Sequence, residues 1–117
     1  MKKIYHLSTC DTCKRILKEI DPPSSYIIQD IKEDPVTEEQ LEEMRQFTES
    51  YEELINKRAR LYKEQDLKNT VLDEEAFKNL ILSHYTFLKR PVIINNDRIF
   101  IGNSPKTIAL AKKAINE

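Results

Sequence analysis

Two cysteines separated by two residues, Cys10 and Cys13, are the side chains whose spacing is best suited to chemistry. Residues 2–7 before them favour a strand and residues 11–20 a helix, so Cys10 is expected at a helix N-terminus. Unpaired backbone N–H groups and the helix dipole stabilise a thiolate there. Because the thiolate is the attacking species, the pattern predicts that Cys10 is a nucleophile and that Cys13, one turn further on, resolves the adduct.

Two other interpretations of this cysteine pair compete with a redox role. Half of a zinc site would need two more ligands, and the sequence offers only His6 and His84 and no second cysteine pair. We therefore expect no metal. Inert packing in the core is the second alternative, and it suits Cys13 on the apolar side of its helix better than Cys10 at a polar loop end.

A helix between two strands must position the cysteine pair. The second strand is expected at residues 26–31, after the helix is stopped by Asp21 and two prolines. A strand, helix and strand in this order form a right-handed crossover with parallel strands. The N-terminal part is therefore predicted to be a βαβ unit.

The middle of the chain is expected to be helical. Thr37, with a glutamine three residues later, forms a capping box for a helix over residues 37–50. A shorter helical stretch is predicted over residues 51–62, and Asp73 before an acidic turn marks another helix start. These elements define a helical insert at about residues 37–88.

The C-terminal part is predicted to be a hairpin followed by a helix. Residues 91–95 and 98–101 are short apolar segments around an Asn-Asn-Asp turn, which favours a β-hairpin. Ser104 then caps a last helix that has Pro105 at its first position. The whole order is strand, helix, strand, helices, two strands and helix.

Composition restricts the class of protein. With 117 residues, 33% of them charged, the chain fits one soluble domain spanning residues 1–117. Its 19 basic and 20 acidic residues nearly cancel, so direct nucleic-acid binding is not expected. No apolar run approaches the roughly 18 to 20 residues of a membrane span, and two cysteines do not make a secreted disulfide framework. We expect a cytoplasmic protein with no membrane association.

Four segments in this order resemble the family of arsenate reductases and Spx proteins. They are Cys-Asp-Thr-Cys-Lys at residues 10–14, Asn-Lys-Arg-Ala-Arg-Leu-Tyr at 56–62, Leu-Lys-Arg-Pro-Val-Ile-Ile at 88–94, and Ile-Gly at 101–102 before the last helix. The resemblance covers nearly the whole chain. It implies an α/β, thioredoxin-like fold, βαβ plus ββα, with a helical insertion between the two halves.

The resemblance also implies catalytic roles. In arsenate-reducing members the nucleophile corresponds to Cys10, and an arginine directly before a proline corresponds to Arg90. An insert arginine corresponds to Arg58, with the neighbouring Arg60 as the alternative. Guanidinium groups suit these roles because they bind oxyanions with paired hydrogen bonds.

Three supporting positions follow from the same resemblance. His6 matches a histidine that tunes the thiolate in some members, and Pro91 is expected to follow a cis peptide bond. Asn103 stands where arsenate-reducing relatives commonly carry a third arginine. Arg98, in the strand just before, is a candidate substitute or a solvent-facing residue. The change at Asn103 weakens arsenate as the natural substrate and leaves the thiol chemistry intact.

Three functions follow as hypotheses. The first is a thiol oxidoreductase acting on arsenate or a mixed disulfide, with no bound cofactor and with glutathione, glutaredoxin or thioredoxin as electron donor. The second is an Spx-like regulator that binds RNA polymerase and uses Cys10 and Cys13 as a redox switch. The third is a scaffold module that retains the fold with an ordinary thiol at Cys10.

Overall fold

The computed structural model describes residues 1–117, and they form two compact units. The first, the sheet unit, comprises Met1–Asp34 and Arg90–Glu117. The second, the helical unit, is Pro35–Lys89. The helical unit begins and ends within two residues of the predicted insert. That the two units make a single domain stays a prediction.

The sheet unit contains a four-stranded mixed sheet in the order β2-β1-β3-β4. Strand β1 pairs in parallel with β2 and antiparallel with β3, and β3 pairs antiparallel with β4. The predicted parallel βαβ unit and the predicted hairpin are both confirmed. The bounds are β1 Lys2–His6, β2 Ile27–Asp30, β3 Val92–Asn95 and β4 Arg98–Ile101.

Two helices complete this unit, α1 at Asp11–Ile20 and α5 at Pro105–Ile115. Each places an apolar side against the sheet, because apolar residues recur in it every three or four positions. Ser104 caps α5 by accepting a hydrogen bond from the Thr107 amide, as the sequence predicts. The shared core consists of Ile4, Ile16, Ile20, Tyr26, Ile93, Ile108 and Ala111.

Two connections in the C-terminal half fix the ends of the hairpin. The turn between β3 and β4 is the dipeptide Asn96-Asp97, and Asn96 has a φ of 56°, a left-handed conformation typical of asparagine in tight hairpins. At the opposite end, the amide of Gly102 donates to the carbonyl of Pro91 at 3.0 Å. The Arg90–Pro91 peptide bond is cis, as the resemblance implied.

The helical unit contains three short α-helices joined by 3-10 turns. Both predicted N-caps are confirmed: Thr37 forms the reciprocal capping box with Gln40, and Asp73 accepts a hydrogen bond from the Ala76 amide. The α-helices are α2 Glu38–Arg45, α3 Arg60–Glu64 and α4 Glu74–Ser83, and the 3-10 turns are Tyr51–Leu54, Leu67–Asn69 and Tyr85–Phe87.

The predicted helix over residues 37–50 is too long. Helix α2 ends at Arg45, and tighter turns follow it, in which the amides of Phe47 and Thr48 donate to carbonyls three residues earlier. The Thr48 hydroxyl donates to the carbonyls of Arg45 and Ser50, and Ser50 begins a new capping box with Glu53. Ser and Thr hydroxyls compete with helix formation in this way. Apolar spacing alone did not reveal that competition.

The predicted helical stretch over residues 51–62 is also wrong in its middle. Only Tyr51–Leu54 is helical, as a 3-10 turn, before α3 begins nine residues after Tyr51. Between them Ile55 is extended and forms an isolated antiparallel bridge with Leu88. This pairing joins residues far apart in sequence, so local propensity could not predict it.

None of the helices combines the length and the apolar character that crossing a membrane would require.

Candidate active site at the N-terminus of α1

Cys10 occupies the N-cap position of α1, as predicted. Its amide donates to the carbonyl of Leu7 at 3.0 Å, and its carbonyl accepts from the amide of Lys14 at 3.1 Å. Cys10 is partly exposed and Cys13 is buried, and both are free thiols. The backbone of Cys10 is therefore held on both sides while its sulfur stays accessible.

The surroundings of Cys10 favour its ionised form. Partial burial acts to raise the pKa of this thiol. Hydrogen bonds from the Cys13 amide and thiol and from the Thr12 amide, together with the charge of Arg90, outweigh that effect. The pKa of Cys10 is consequently below its ordinary value, which is the property expected of a nucleophilic thiol.

Cys13 is shifted in the opposite direction. Its side chain is 1% exposed, and this burial is the main cause that raises its pKa to about 11. A negative charge on Cys10 and the hydrogen bond between the two sulfurs raise it further, while the Leu7 amide and Arg90 act against the shift. Cys13 therefore remains protonated at neutral pH and donates to Cys10.

Arg90 and Pro91 lie at the same end of the sheet as Cys10. Val92, the first residue of β3, is paired with Tyr5 near the C-terminal end of β1, and the chain enters β3 through the cis peptide bond. The positive charge of Arg90 lowers the pKa of both thiols. The resemblance had paired Arg90 with the nucleophile, and the electrostatics connect the two residues.

His6 ends β1 and lies in register with Asp30, the last residue of β2. Its Nδ1 atom is buried without a hydrogen-bond partner. The Asp30 carboxylate accepts from the Ser8 amide at 3.2 Å and from the Ser8 hydroxyl at 2.5 Å. The role of His6 in tuning Cys10 stays a prediction.

Sequence reasoning did not single out Ser8 or Asp30. A signal for them was available, because the carboxyl ends of paired parallel strands meet at one edge of a sheet. The predicted pairing of residues 2–7 with 26–31 places an aspartate beside the loop that leads to Cys10.

The two candidate arginines of the insert belong to the helical unit. Arg58 is exposed, its amide donates to Asn56 Oδ1 at 3.1 Å, and its guanidinium makes no hydrogen bond or ion pair. Arg60 is 84% exposed and forms an ion pair with Glu64 at 3.4 Å. An unpaired guanidinium is the one better suited to take an anionic ligand. The assignment of either arginine to the active site stays a prediction.

Asn103 and Arg98 fall at different ends of the hairpin. Asn103 follows Gly102 directly after β4, at the end near Pro91, and its side chain is exposed. Arg98 starts β4, three residues before Ile101 or about 10 Å along the strand. It forms an ion pair with Glu117 at 2.9 Å. The alternative that Arg98 substitutes for the third arginine is therefore wrong, because Arg98 lies at the opposite end of the sheet from Cys10.

No three His, Cys, Asp or Glu side chains form a group that could hold a metal ion.

The sheet and the helical insertion define a thioredoxin-like α/β protein, here with a cysteine pair at the first helix. The chain belongs to the ArsC family, whose model matches residues 5–111. The predicted family and fold class are confirmed.

Individual relatives fall into two functional classes. The arsenate reductase of Haemophilus influenzae is 27% identical over 110 residues, covering 90% of this chain and 93% of that protein. The global transcriptional regulator Spx 1 of Bacillus cereus is 27% identical over 106 residues, covering 87% of this chain and 79% of the regulator. A crystal structure of an ArsC family related protein from Bacteroides fragilis superposes with a TM-score of 0.75 at 22% identity, covering 97% of this chain and 96% of that one. At the level of the family, a thiol oxidoreductase and an Spx-like regulator both fit.

Proposed function

We propose that this chain is a thiol-dependent oxidoreductase in which Cys10 attacks arsenate or a mixed disulfide. The observation that carries the proposal is the opposite shift of two neighbouring thiols: the pKa of Cys10 is lowered, and that of Cys13 is raised to about 11. One sulfur thus ionises more readily than an ordinary thiol, and the other holds its proton more tightly. A nucleophile and a resolving thiol need this division of roles.

In the first step, the Cys10 thiolate forms a bond to the oxidised centre. With a mixed disulfide, Cys10 joins one sulfur and the other departs as a thiolate. With arsenate, a sulfur–arsenic bond forms and one arsenate oxygen leaves as water after taking up protons. Arg90, whose charge already acts on Cys10, would stabilise the anion in either case.

In the second step, Cys13 or a glutathione thiol attacks the adduct. Once Cys10 carries the adduct, its negative charge and its hydrogen bond to Cys13 are gone, and both had raised the pKa of Cys13. Cys13 is therefore easier to ionise in the mixed disulfide, whose two sulfurs carry no charge. Its attack on a Cys10 mixed disulfide releases a thiolate and leaves a Cys10–Cys13 disulfide. With arsenate, two thiols are oxidised to one disulfide as As(V) becomes As(III).

The electron donor and the insert arginine complete the proposal. Glutathione, glutaredoxin or thioredoxin would return the disulfide to two thiols by thiol–disulfide exchange. Arg58 would add a second charge to the oxyanion, with Arg60 as the alternative. The support for Arg58 is the resemblance together with its unpaired guanidinium, whereas Arg60 is already paired with Glu64.

The test is turnover of arsenate and of a glutathione mixed disulfide, measured with each donor in turn. Cys10→Ser should abolish both activities, and retained turnover would refute the proposal. Cys13→Ser separates the resolving thiols: loss of activity with every donor assigns the step to Cys13, and activity with glutathione alone assigns it to glutathione.

Two exposed arginines of one segment provide a matched comparison. If Arg58 binds the oxyanion, Arg58→Ala should raise the KM for arsenate, while Arg60→Ala should leave it unchanged. The reverse result would move the assignment to Arg60. Equal, unchanged values in both variants would remove the insert arginines from the proposal.

An Spx-like regulator is the second candidate, favoured by the 27% identity to Spx 1 over 106 residues. In that case the Cys10–Cys13 pair would act as a switch, and RNA polymerase would be the partner. The discriminating measurement is binding of the polymerase α subunit to the reduced and the oxidised protein. Binding that changes with oxidation, in a protein without arsenate or disulfide turnover, would favour the regulator.

A further inference from the structure

The carboxylate of Asp30 holds the loop that precedes Cys10. Asp30 ends β2 and accepts two hydrogen bonds from Ser8, one from the amide at 3.2 Å and one from the hydroxyl at 2.5 Å. It also accepts from the amide of Lys32 at 3.2 Å. Asp30 therefore joins the loop after β1 to the loop after β2 through three donors.

The loop in question is a tight turn that ends on the nucleophile. Cys10 donates its amide to Leu7 at 3.0 Å, so residues 7–10 close a turn with Ser8 and Thr9 in its centre. A carboxylate that binds both the amide and the hydroxyl of one central residue fixes the orientation of the whole turn. Asp30 thus acts on the backbone from which the Cys10 sulfur projects.

Accurate placement of this sulfur decides its ionisation. Its pKa is lowered by hydrogen bonds from the amides of Cys13 and Thr12, and hydrogen bonds weaken steeply as their geometry is lost. Asp30 is not among the main causes that act on the Cys10 pKa. We therefore expect Asp30 to act chiefly through the position of the turn.

We propose that Asp30 is a positioning residue that, by clamping Ser8, aligns the Cys10 sulfur with the N–H groups at the start of α1. The inference rests on the proposed role of Cys10 as the nucleophile. Asp30 is suited to this task because its pKa is lowered. The Ser8 hydroxyl is the main cause, and the amides of Ser8 and Lys32 and the charge of His6 add to it, while burial acts in the opposite direction. Asp30 stays an acceptor throughout the pH range in which a cysteine titrates.

The test is the rate of alkylation of Cys10 by iodoacetamide as a function of pH, with the modified cysteine located by peptide mass mapping. Asp30→Ala should move the midpoint of the profile upward by about half to one pH unit, because it releases two hydrogen bonds from the turn. Ser8→Ala removes only the hydroxyl bond and should give a smaller upward shift. Asp34→Ala is the control, since Asp34 lies in the same segment but its carboxylate makes no contact with the turn.

Asp30→Asn separates position from charge. Asparagine can still accept from the Ser8 amide and can donate to its hydroxyl, so a positioning role predicts a midpoint near that of the wild type. A purely electrostatic role predicts a midpoint below the wild type, because a negative charge has been removed near a thiolate. That second result would overturn the proposal.

Two further outcomes would also overturn it. One is an unchanged midpoint in folded Asp30→Ala, and the other is an equal shift in Asp34→Ala. If Asp30→Ala does not fold, as judged by circular dichroism, Ser8→Ala and Asp30→Asn decide the question. Alkylation reports on the thiol itself, so these results stand whether or not the protein reduces arsenate or a disulfide.

Discussion

Replacing Cys13 with alanine or with serine separates two roles of the same thiol. In the resting protein Cys13 donates a hydrogen bond to the Cys10 sulfur, and this bond lowers the pKa of Cys10. Alanine removes the donor, whereas serine keeps one at the same position. The amide of residue 13 is retained in both variants. We expect the pKa of Cys10 to rise in Cys13→Ala and to stay near the wild-type value in Cys13→Ser.

The size of the effect follows from the nature of the bond. A hydrogen bond to a charged group contributes about 1.5 to 3 kcal/mol, but a thiol is a weak donor and Cys10 is partly exposed. A contribution of about 1 kcal/mol remains, which corresponds to about a fivefold smaller thiolate population at a pH below the pKa. A thiolate of higher pKa is also more nucleophilic. At a pH below the pKa of Cys10, the alkylation rate should therefore fall only about two- to threefold.

The assay is the pH profile of Cys10 alkylation, with turnover measured on the same preparations. The profile midpoint should rise by about 0.7 pH units in Cys13→Ala and should not rise in Cys13→Ser. Turnover that depends on Cys13 as the resolving thiol should be lost in both. A midpoint in Cys13→Ala equal to that of the wild type, or an equal rise in both variants, would refute the reasoning.

Further predictions concern charge, pH and capping. Arg90→Gln should raise the midpoint of Cys10 alkylation, because a positive charge that lowers its pKa is lost, whereas Arg98→Gln at the far end of the sheet should not. The pKa of Cys13 is raised from 9.0 to about 11, which means that the folded state favours the protonated thiol. This contribution to stability is fully present below pH 9 and is lost as the pH rises from 9 to 11. Denaturant unfolding should show this loss, about 3 kcal/mol, in the wild type and not in Cys13→Val. Asp73→Ala should lower the free energy of unfolding by about 1 kcal/mol, and Asp73→Asn, which keeps a capping oxygen, by much less; equal losses would contradict a capping role.

The sequence by itself determined the local elements of the site. Apolar periodicity predicted α1 at its observed bounds of Asp11–Ile20, and the turn composition predicted the hairpin of β3 and β4. The caps at Thr37, Asp73 and Ser104 were predicted because each depends on a side chain and an amide only three residues away. These features are encoded locally, so one sequence is enough to recognise them.

The tertiary structure decided whatever depends on residues far apart in the chain. The predicted helical stretch over residues 51–62 is wrong because Ile55 pairs with Leu88, which lies far away in the sequence. The clamp of Asp30 on Ser8 spans 22 residues and exists only because β1 and β2 lie side by side. The sequence predicted Cys10 as the nucleophile at a helix start, where nearby amides lower its pKa, but the charge of Arg90 and the burial that raises the pKa of Cys13 arise only in the folded chain. Burial and long-range charge are properties of the folded chain, which is why spacing alone could not supply them.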